Sequence, residues 1–172
     1  TGRIDRSDPD RPVIFWPGTK VTLRVEGTSE VSVILDDALG INRFYLIVDN
    51  DDQKAWKFKC RKGKHEYTYP EKLGSGIHTV ELFKASEYIH GSTEFIGFNL
   101  GLGSIIHPPL TNRKRILFLG DSITCGMGVF DKSGVRQLLP KYTDHYFSYA
   151  AMVTRRLGVD HVAIARNGIG FM

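Results

Sequence analysis

Seven short segments in the first hundred residues alternate apolar and polar side chains, and this pattern restricts the fold more than any other feature. Turn-forming Gly, Asp, Asn and Ser residues separate them. The segments are Lys20–Glu26, Glu30–Leu35, Arg43–Asp49, Lys54–Cys60, His65–Tyr69, His78–Lys84 and Glu94–Leu100. Because many short strands without an intervening helical period favour two packed sheets, we predict an antiparallel β-sandwich or jelly roll over residues 1–108.

The pattern changes after a proline-containing stretch. The letters HPPLTNRKR, His107–Arg115, combine two prolines, which end a strand, with a charged tail suited to solvent. We therefore predict a linker at 109–114. Arg115–Gly120 (RILFLG) and Asp160–Ala165 (DHVAIA) then have the composition of two buried strands.

One stretch between these two strands has helical periodicity. Its apolar face is predicted to carry Tyr146, Tyr149, Ala150, Val153 and Leu157. Thr143 or Asp144 is suited to cap the start of the helix, and Gly158 is suited to end it. Strand, helix and strand in this order predict a parallel pair with a right-handed crossover, so residues 115–172 form an α/β segment.

The composition excludes several classes of protein. With 41% hydrophobic and 24% charged residues, the 172-residue chain is expected to be globular. Its net charge of +4 arises from 23 basic residues interspersed with 19 acidic ones, which makes nucleic acid a weak candidate partner. No run approaches the roughly 18 apolar residues of a membrane span, and two cysteines do not make a disulfide framework.

The most informative local pattern is Gly120-Asp121-Ser122, at the end of the first buried strand. Ligands of open parallel sheets bind beyond the carboxyl ends of the strands, so Ser122 is a candidate nucleophile. A serine nucleophile needs a base and oxyanion donors, and Gly120 would permit close approach. Alternatively, Asp121 or Ser122 caps a turn that begins at Ile123. The spacing alone leaves both interpretations open.

A second corner, Asn167–Gly170 (NGIG), follows the second strand and is expected to reach the same crevice. A glycine in this corner would let a backbone N–H point at a developing negative charge. The glycines near Ser122 form neither a phosphate loop nor a dinucleotide fingerprint, because no Lys-Ser/Thr follows Gly126 and the G-x-G-x-x-G spacing is missing.

Four segments carry a resemblance to a known family. FLGDSITCGMG resembles the first block of the SGNH, or GDSL, hydrolases. Together with WPGTKVTLRVEGT (Trp16–Thr28), IHTVELFKASE (Ile77–Glu87) and RKRILFLGDSITCG (Arg113–Gly126), it is similar to carbohydrate esterase family 2 over nearly the whole chain. The resemblance implies a jelly-roll domain followed by the first β-α-β portion of a flavodoxin-like SGNH hydrolase domain. It departs from the family at KASE, where Lys-Arg-Thr-Glu is usual, and at Asn167, where serine is usual.

The same resemblance implies roles for individual residues. Ser122 would be the nucleophile, its own N–H would be one oxyanion donor, and the N–H of Gly170 would be another. Gly120, Asp121 and Gly168 would support them, with no metal or cofactor. The implied function is a secreted serine esterase that removes acetyl groups from plant cell-wall polysaccharide such as xylan or glucomannan.

A different class of function remains open from the residues alone. A jelly-roll face carrying Trp56, Tyr67 and Tyr69 could stack sugars and act as a non-catalytic carbohydrate-binding module, although such aromatic side chains are more often core. The loop Met127–Tyr142 is expected to form either one wall of the substrate crevice or a surface excursion.

The family takes its oxyanion asparagine and catalytic histidine from segments well beyond the second strand. We expect both to lie beyond Met172, in a second chain or an absent segment, so that the 172-residue chain alone does not catalyse. His145 and His161 are predicted to be capping or surface residues rather than the base.

Overall fold

Two five-stranded antiparallel sheets make up the N-terminal part of the chain. The structure, a computed structural model, describes residues 1–107, 113–132 and 140–169. The first sheet has the order β1 (Ile4–Asp5), β2 (Val13–Ile14), β9 (Thr93–Asn99), β4 (Ser32–Asp37) and β7 (Gly63–Thr68). The second has the order β10 (Ser104–Ile106), β3 (Lys20–Glu26), β8 (Ile77–Lys84), β5 (Arg43–Val48) and β6 (Trp56–Lys59). The predicted antiparallel sandwich is confirmed.

The sheets bury one row of side chains from each strand between them, as the alternation requires. Val33 and Leu35 of β4 belong to the same apolar cluster as Val25, Leu46 and Leu82 of the second sheet. All of them are buried. The core of the N-terminal part therefore lies between its two sheets.

Each predicted segment contains a strand, but the ends differ by a few residues. The strand predicted to begin at Lys54 begins only at Trp56, because Asp52–Lys54 forms a 3₁₀ turn. The Asp51 side chain caps this turn by accepting a hydrogen bond from the N–H of Gln53. The short strands β1, β2 and β10 were not predicted, since two or three residues are too few to show alternation.

The second part of the chain is a strand, helix and strand, as predicted. Strands β11 (Arg115–Gly120) and β12 (Asp160–Ala165) pair in parallel, and α1 (Tyr149–Leu157) connects them. The prediction that both strands are buried is correct for only one face. Leu117 and Leu119 on the other face are 57% and 56% exposed, because no element of the described ranges packs on it. Residues 109–112 of the predicted linker lie outside the described residues.

The predicted helix is broken into two pieces. Asp144 caps a 3₁₀ turn over His145–Phe147 by accepting the N–H of Tyr146, and a second cap, Ser148, then starts α1. The helix cannot continue through Ser148, which has extended backbone at ψ 157. Gly158 ends α1 at φ +65, in the left-handed region, as expected.

The apolar face predicted for the helix is confirmed at Tyr146 and Ala150 but not at its other three residues. Ala150, Ala151 and Thr154 are buried, whereas Tyr149 and Leu157 are exposed by 48% and 62%. Close contact with the sandwich suits the small side chains, so the larger apolar ones point away from it. No helix of the described ranges is long and apolar enough to cross a membrane.

The outer face of the second sheet is the surface on which the α/β segment packs. Tyr45, Phe83 and Ala85 of the sandwich form a buried cluster with Tyr146 and Ala151. The rings of Tyr45 and Tyr146 stack with centroids 4.4 Å apart. The second sheet is therefore a middle layer between the first sheet and the α/β segment.

Candidate active site

The parallel register places the two predicted corners side by side. Gly120 pairs with Ala165, and the next N–H, that of Arg166, donates to the carbonyl oxygen of Gly120 at 3.2 Å. Ser122 follows the first strand end and Asn167 follows the second. Both corners thus lie at the same edge of the sheet, where ligands of parallel sheets bind.

Position 120 must be a glycine because the side chain of Thr124 occupies the space that a Cβ would need. A Cβ at position 120 would lie 2.1 Å from Thr124 Oγ1 and 2.7 Å from Thr124 Cβ, which no side chain tolerates. The missing Cβ therefore lets the chain turn back sharply after the strand.

The capping alternative applies to Asp121 but not to Ser122. Asp121 Oδ1 accepts the N–H of Ile123 at 2.9 Å, and the Asp121 carbonyl accepts the N–H of Cys125. Neither the hydroxyl nor the N–H of half-buried Ser122 makes a hydrogen bond to any residue of the described ranges. Both groups of Ser122 are therefore free to act on a ligand.

The turn that follows Ser122 is held against the segment before α1. Gly126 has φ +76, and a Cβ there would lie 2.2 Å from the carbonyl oxygen of Asp144. The Gly126 carbonyl accepts the N–H of Asp144 at 3.1 Å, and the Ser122 carbonyl accepts that of Met127 at 2.9 Å. Asp144 thereby fixes the turn that carries Ser122.

The second corner is a tight turn with one external partner. Gly168 has φ +78, and the N–H of Ile169 donates to the Arg166 carbonyl at 3.4 Å. The N–H of Asn167 donates to Glu87 Oε2 at 3.0 Å. Gly170, the second predicted oxyanion donor, lies outside the described residues, so its role stays a prediction.

The prediction that His145 and His161 are capping or surface residues is wrong, because both rings are interior. They are 0% and 3% exposed, and their Nε2 atoms lie 3.0 Å apart. Gly18 of the sandwich leaves room for them, since a Cβ there would lie 2.5 Å and 2.7 Å from the two Nε2 atoms. Two residues 16 positions apart along the chain thus form one buried pair at the contact between the two parts.

The hydrogen bonds of this pair have one consistent direction. His145 Nδ1 must donate to the Thr124 carbonyl, 2.8 Å away, because that oxygen only accepts. With both rings neutral, His161 Nε2 donates to His145 Nε2. His161 Nδ1 lies 3.0 Å from the Thr154 hydroxyl, which also donates to the Ala150 carbonyl at 2.9 Å. Burial lowers the pKa of His145 to about 3 and that of His161 to about 4. Neither ring is therefore available as a base for Ser122.

A buried carboxylate lies beside the same contact. Asp144 is 0% exposed, pairs with the ammonium of Lys57 and accepts the hydroxyl proton of Tyr45 at 2.8 Å. The Lys57 ammonium also lies 4.8 Å from the centroid of the Phe130 ring, in the turn after Ser122. A lysine of the sandwich thereby helps to position the α/β segment.

The sugar-stacking interpretation of three aromatic residues is not supported. Tyr67 and Tyr69 are buried in the core between the sheets, and Trp56 packs against that core. The Trp56 ring stacks on Phe58, which in turn stacks on Tyr67 at 4.6 Å. These rings are core, so they do not offer a flat aromatic surface to a polysaccharide.

The predicted loop Met127–Tyr142 lies only partly within the described residues. The described ends of the loop Met127–Tyr142 come together where the N–H of Phe130 donates to the Tyr142 carbonyl at 3.3 Å, but residues 133–139 lie outside the described residues. The described residues contain no cluster of His, Cys, Asp or Glu suited to a metal ion. Both cysteines are buried and free.

Sequence reasoning missed Glu87 and Lys57 as residues of the site. Glu87 is the last residue of the KASE segment, whose local pattern does not indicate a site. Lys57 lies in a strand in which lysines alternate with apolar residues, and this pattern predicts that the lysines face solvent. Neither residue is near Ser122 along the chain, so only tertiary structure could reveal their contacts.

Comparison with known proteins confirms the resemblance. The family described as carbohydrate esterase 2 N-terminal matches residues 1–109. Cellulase/esterase CelE of Acetivibrio thermocellus is 35% identical over 98% of this chain, which covers 20% of that relative. An acetylxylan esterase / glucomannan deacetylase of Cellvibrio japonicus is 31% identical over 99% of this chain and 47% of its own length.

The solved structures agree with the fold. A family two carbohydrate esterase from Clostridium thermocellum, solved in complex with cellohexaose, has a TM-score of 0.89 and 34% identity over 98% of this chain and 51% of that one. This chain thus spans about half the length of these relatives or less. Since the family match covers 109 of 172 residues, the chain belongs to the carbohydrate esterase 2 N-terminal family.

Proposed function

We propose that this chain supplies the sandwich and the nucleophile corner of a serine esterase that removes acetyl groups from plant cell-wall polysaccharide, such as xylan or glucomannan. The observation that carries the proposal is the state of Ser122. Its hydroxyl and its N–H are both free of hydrogen bonds to described residues, at the edge of the sheet where both strand ends meet. Membership of the family and its named relatives support the substrate class.

The proposed chemistry is acyl transfer in two steps. Ser122 Oγ attacks the acetyl carbonyl carbon while a base takes its proton, and the carbonyl oxygen becomes an oxyanion. The N–H of Ser122 and that of Gly170 would each donate to this oxyanion. The C–O bond to the sugar then breaks, and the sugar oxygen receives the proton from the base. Water attacks the acetyl-serine in the same way and releases acetate.

We propose that the base comes from a part of the hydrolase domain outside this chain. The nitrogens of His145 and His161 are committed to buried hydrogen bonds, and Ser122 has no hydrogen bond to a described histidine. The exposed face with Leu117 and Leu119 supports the same proposal, because a doubly wound sheet covers both its faces. We therefore expect the 172 residues alone to be inactive. A polymer substrate of this kind also requires a secreted enzyme.

The test uses an esterase in which this chain is joined to a whole hydrolase domain. Ser122→Ala should lower the release of acetate from 4-nitrophenyl acetate and from acetylated xylan by about a thousandfold or more. Ser75→Ala, in an exposed turn of the sandwich, is the control and should leave both rates unchanged. Full activity of folded Ser122→Ala would contradict the proposal.

The loop Met127–Tyr142 remains a prediction with its own test. If it forms one wall of the crevice, shortening it should reduce turnover of acetylated polymer more than turnover of a small acetyl ester. An equal effect on the two substrates would show that it is only a surface excursion.

A further inference from the structure

Glu87 is a buried carboxylate of the sandwich that the proposed chemistry does not use. It follows β8 and precedes a 3₁₀ turn over Tyr88–His90, and it is only 2% exposed. A carboxylate at such a position is costly unless hydrogen bonds and opposite charges compensate for its burial. Its partners therefore indicate what it is for.

The neighbours of the Glu87 carboxylate come from both corners of the candidate site. Asn167 in the second corner donates its N–H to Oε2 at 3.0 Å. The thiol of Cys125, three residues after Ser122 in the first corner, lies beside the same carboxylate, and burial together with the charge of Glu87 raises the pKa of that thiol. The positive charges of Lys84 and Arg166 also act on Glu87. One side chain of the sandwich thus contacts both corners of the α/β segment.

This contact matters because few other interactions connect the two corners. The last direct hydrogen bond between the two strands runs from the N–H of Arg166 to the Gly120 carbonyl. Beyond that bond, no hydrogen bond within the described ranges joins the corner at Ser122 to the corner at Asn167. Glu87 bonds to the second corner and lies beside Cys125 of the first.

We propose that Glu87 is a positioning residue that sets the distance and orientation between the nucleophile corner and the oxyanion corner. The role rests on the proposed function, in which each corner contributes one N–H to the oxyanion. Donors that are fixed before the reaction stabilise an oxyanion without reorganisation, whereas displacement by about 1 Å can cost a hundredfold in rate. Glu87 fixes the second corner by binding the N–H that precedes Gly168.

The first experiment measures the contact itself in the 172-residue chain and is independent of catalysis. The amide hydrogen of Asn167 should exchange with solvent at least about tenfold faster in Glu87→Ala than in the unmodified chain. Its chemical shift should titrate with Glu87, whose pKa is raised above 4.5 by burial, and this titration should vanish in Glu87→Gln. Glu66→Gln, which changes a carboxylate bound to Asn99 within the sandwich, is the control.

The second experiment measures the consequence in the esterase with a whole hydrolase domain. Glu87→Asp keeps the charge but is one methylene too short to reach Asn167, so kcat for a small acetyl ester should fall by about tenfold or more with little change in KM. Glu87→Gln retains an acceptor oxygen and should recover most of kcat. A role in stability alone would lower the melting temperature of both variants and leave kcat of the folded enzyme unchanged.

The outcomes separate the two proposals. If the unmodified esterase releases no acetate while exchange at Asn167 depends on Glu87, the proposed function fails and the contact stands. If exchange at Asn167 is the same in Glu87→Ala and in the unmodified chain, or if Glu87→Asp keeps full kcat, the positioning role is overturned.

Discussion

Acid should destabilise this protein through its buried histidine pair. His145 and His161 are neutral when folded, with pKa lowered by burial to about 3 and about 4, but return to the ordinary value of 6.5 on unfolding. The unfolded chain therefore binds more protons below pH 6.5. The stability that the neutral pair contributes is fully present above pH 6.5 and is lost as the pH falls from 6.5 to about 4 for His161 and to about 3 for His145.

The magnitude follows from the difference between the folded and unfolded pKa values. At pH 5, each unfolded histidine lies 1.5 pH units below its pKa, which corresponds to roughly 2 kcal/mol for each ring and twice that for the pair. The folded pair resists protonation because burial disfavours a charge on either ring. A proton on His145 Nε2 would also set two N–H groups against each other between the rings. Lys20 and Arg155 nearby act in the same direction, whereas Asp160 opposes it for His161.

The assay is denaturant unfolding of the 172-residue chain at pH 7.5 and pH 5.0. His161→Gln removes one titrating ring but keeps a donor for His145, so the free energy that it loses on acidification should be about 2 kcal/mol smaller than that of the unmodified chain. Carboxylates titrate alike in both proteins and cancel from this difference. His107→Gln, at an exposed position, is the control. Identical losses in the unmodified chain and in His161→Gln would refute the reasoning.

Three further outcomes are expected. Gly126→Ala should lower the free energy of unfolding by about 2 kcal/mol or more in thermal unfolding, because position 126 has a positive φ and lies against the Asp144 carbonyl. The control Gly27→Ala has a similar φ but no atom within 4 Å of the new Cβ, so it should cost less. Equal costs would contradict the role of that carbonyl. Lys57→Met should destabilise by about 3 kcal/mol by leaving a buried carboxylate without its cation, compared with little for exposed Lys59→Met; a neutral Lys57→Met would contradict this. Burial raises the pKa of both cysteine thiols, so neither should react with a thiol reagent until the chain unfolds, and rapid native labelling would show that a thiol is accessible.

The sequence predicted those features that depend on local pattern. The alternating segments identified the sandwich strands, and Gly158 identified the end of the helix. The break at Ser148 was missed because the N–H of His145 bonds to the Ala85 carbonyl of the sandwich at 2.9 Å, a contact that no local pattern encodes. A residue's own segment thus predicted its strand or turn but not its distant partner.

The candidate site divides in the same way. Gly120, Asp121 and Ser122 are consecutive, so their arrangement at a strand end could be anticipated. The contact of Glu87 with Asn167 joins residues 80 positions apart and involves a backbone N–H that any residue type except proline would offer. Periodicity cannot identify such a partner, since the acceptor needs only the right place in space.

The double use of the second sheet limits how this protein can be dissected. One face of that sheet holds the core of the sandwich, and the other face, with Tyr45, Ile47 and Phe83, is covered by Tyr146 and Ala151 of the α/β segment. A cut between the two parts would uncover this patch of large apolar side chains, which promotes self-association. Residues 1–108 expressed by themselves should therefore aggregate unless these positions are made polar. The sandwich is a separate segment of the sequence, but it needs the α/β segment to stay monomeric.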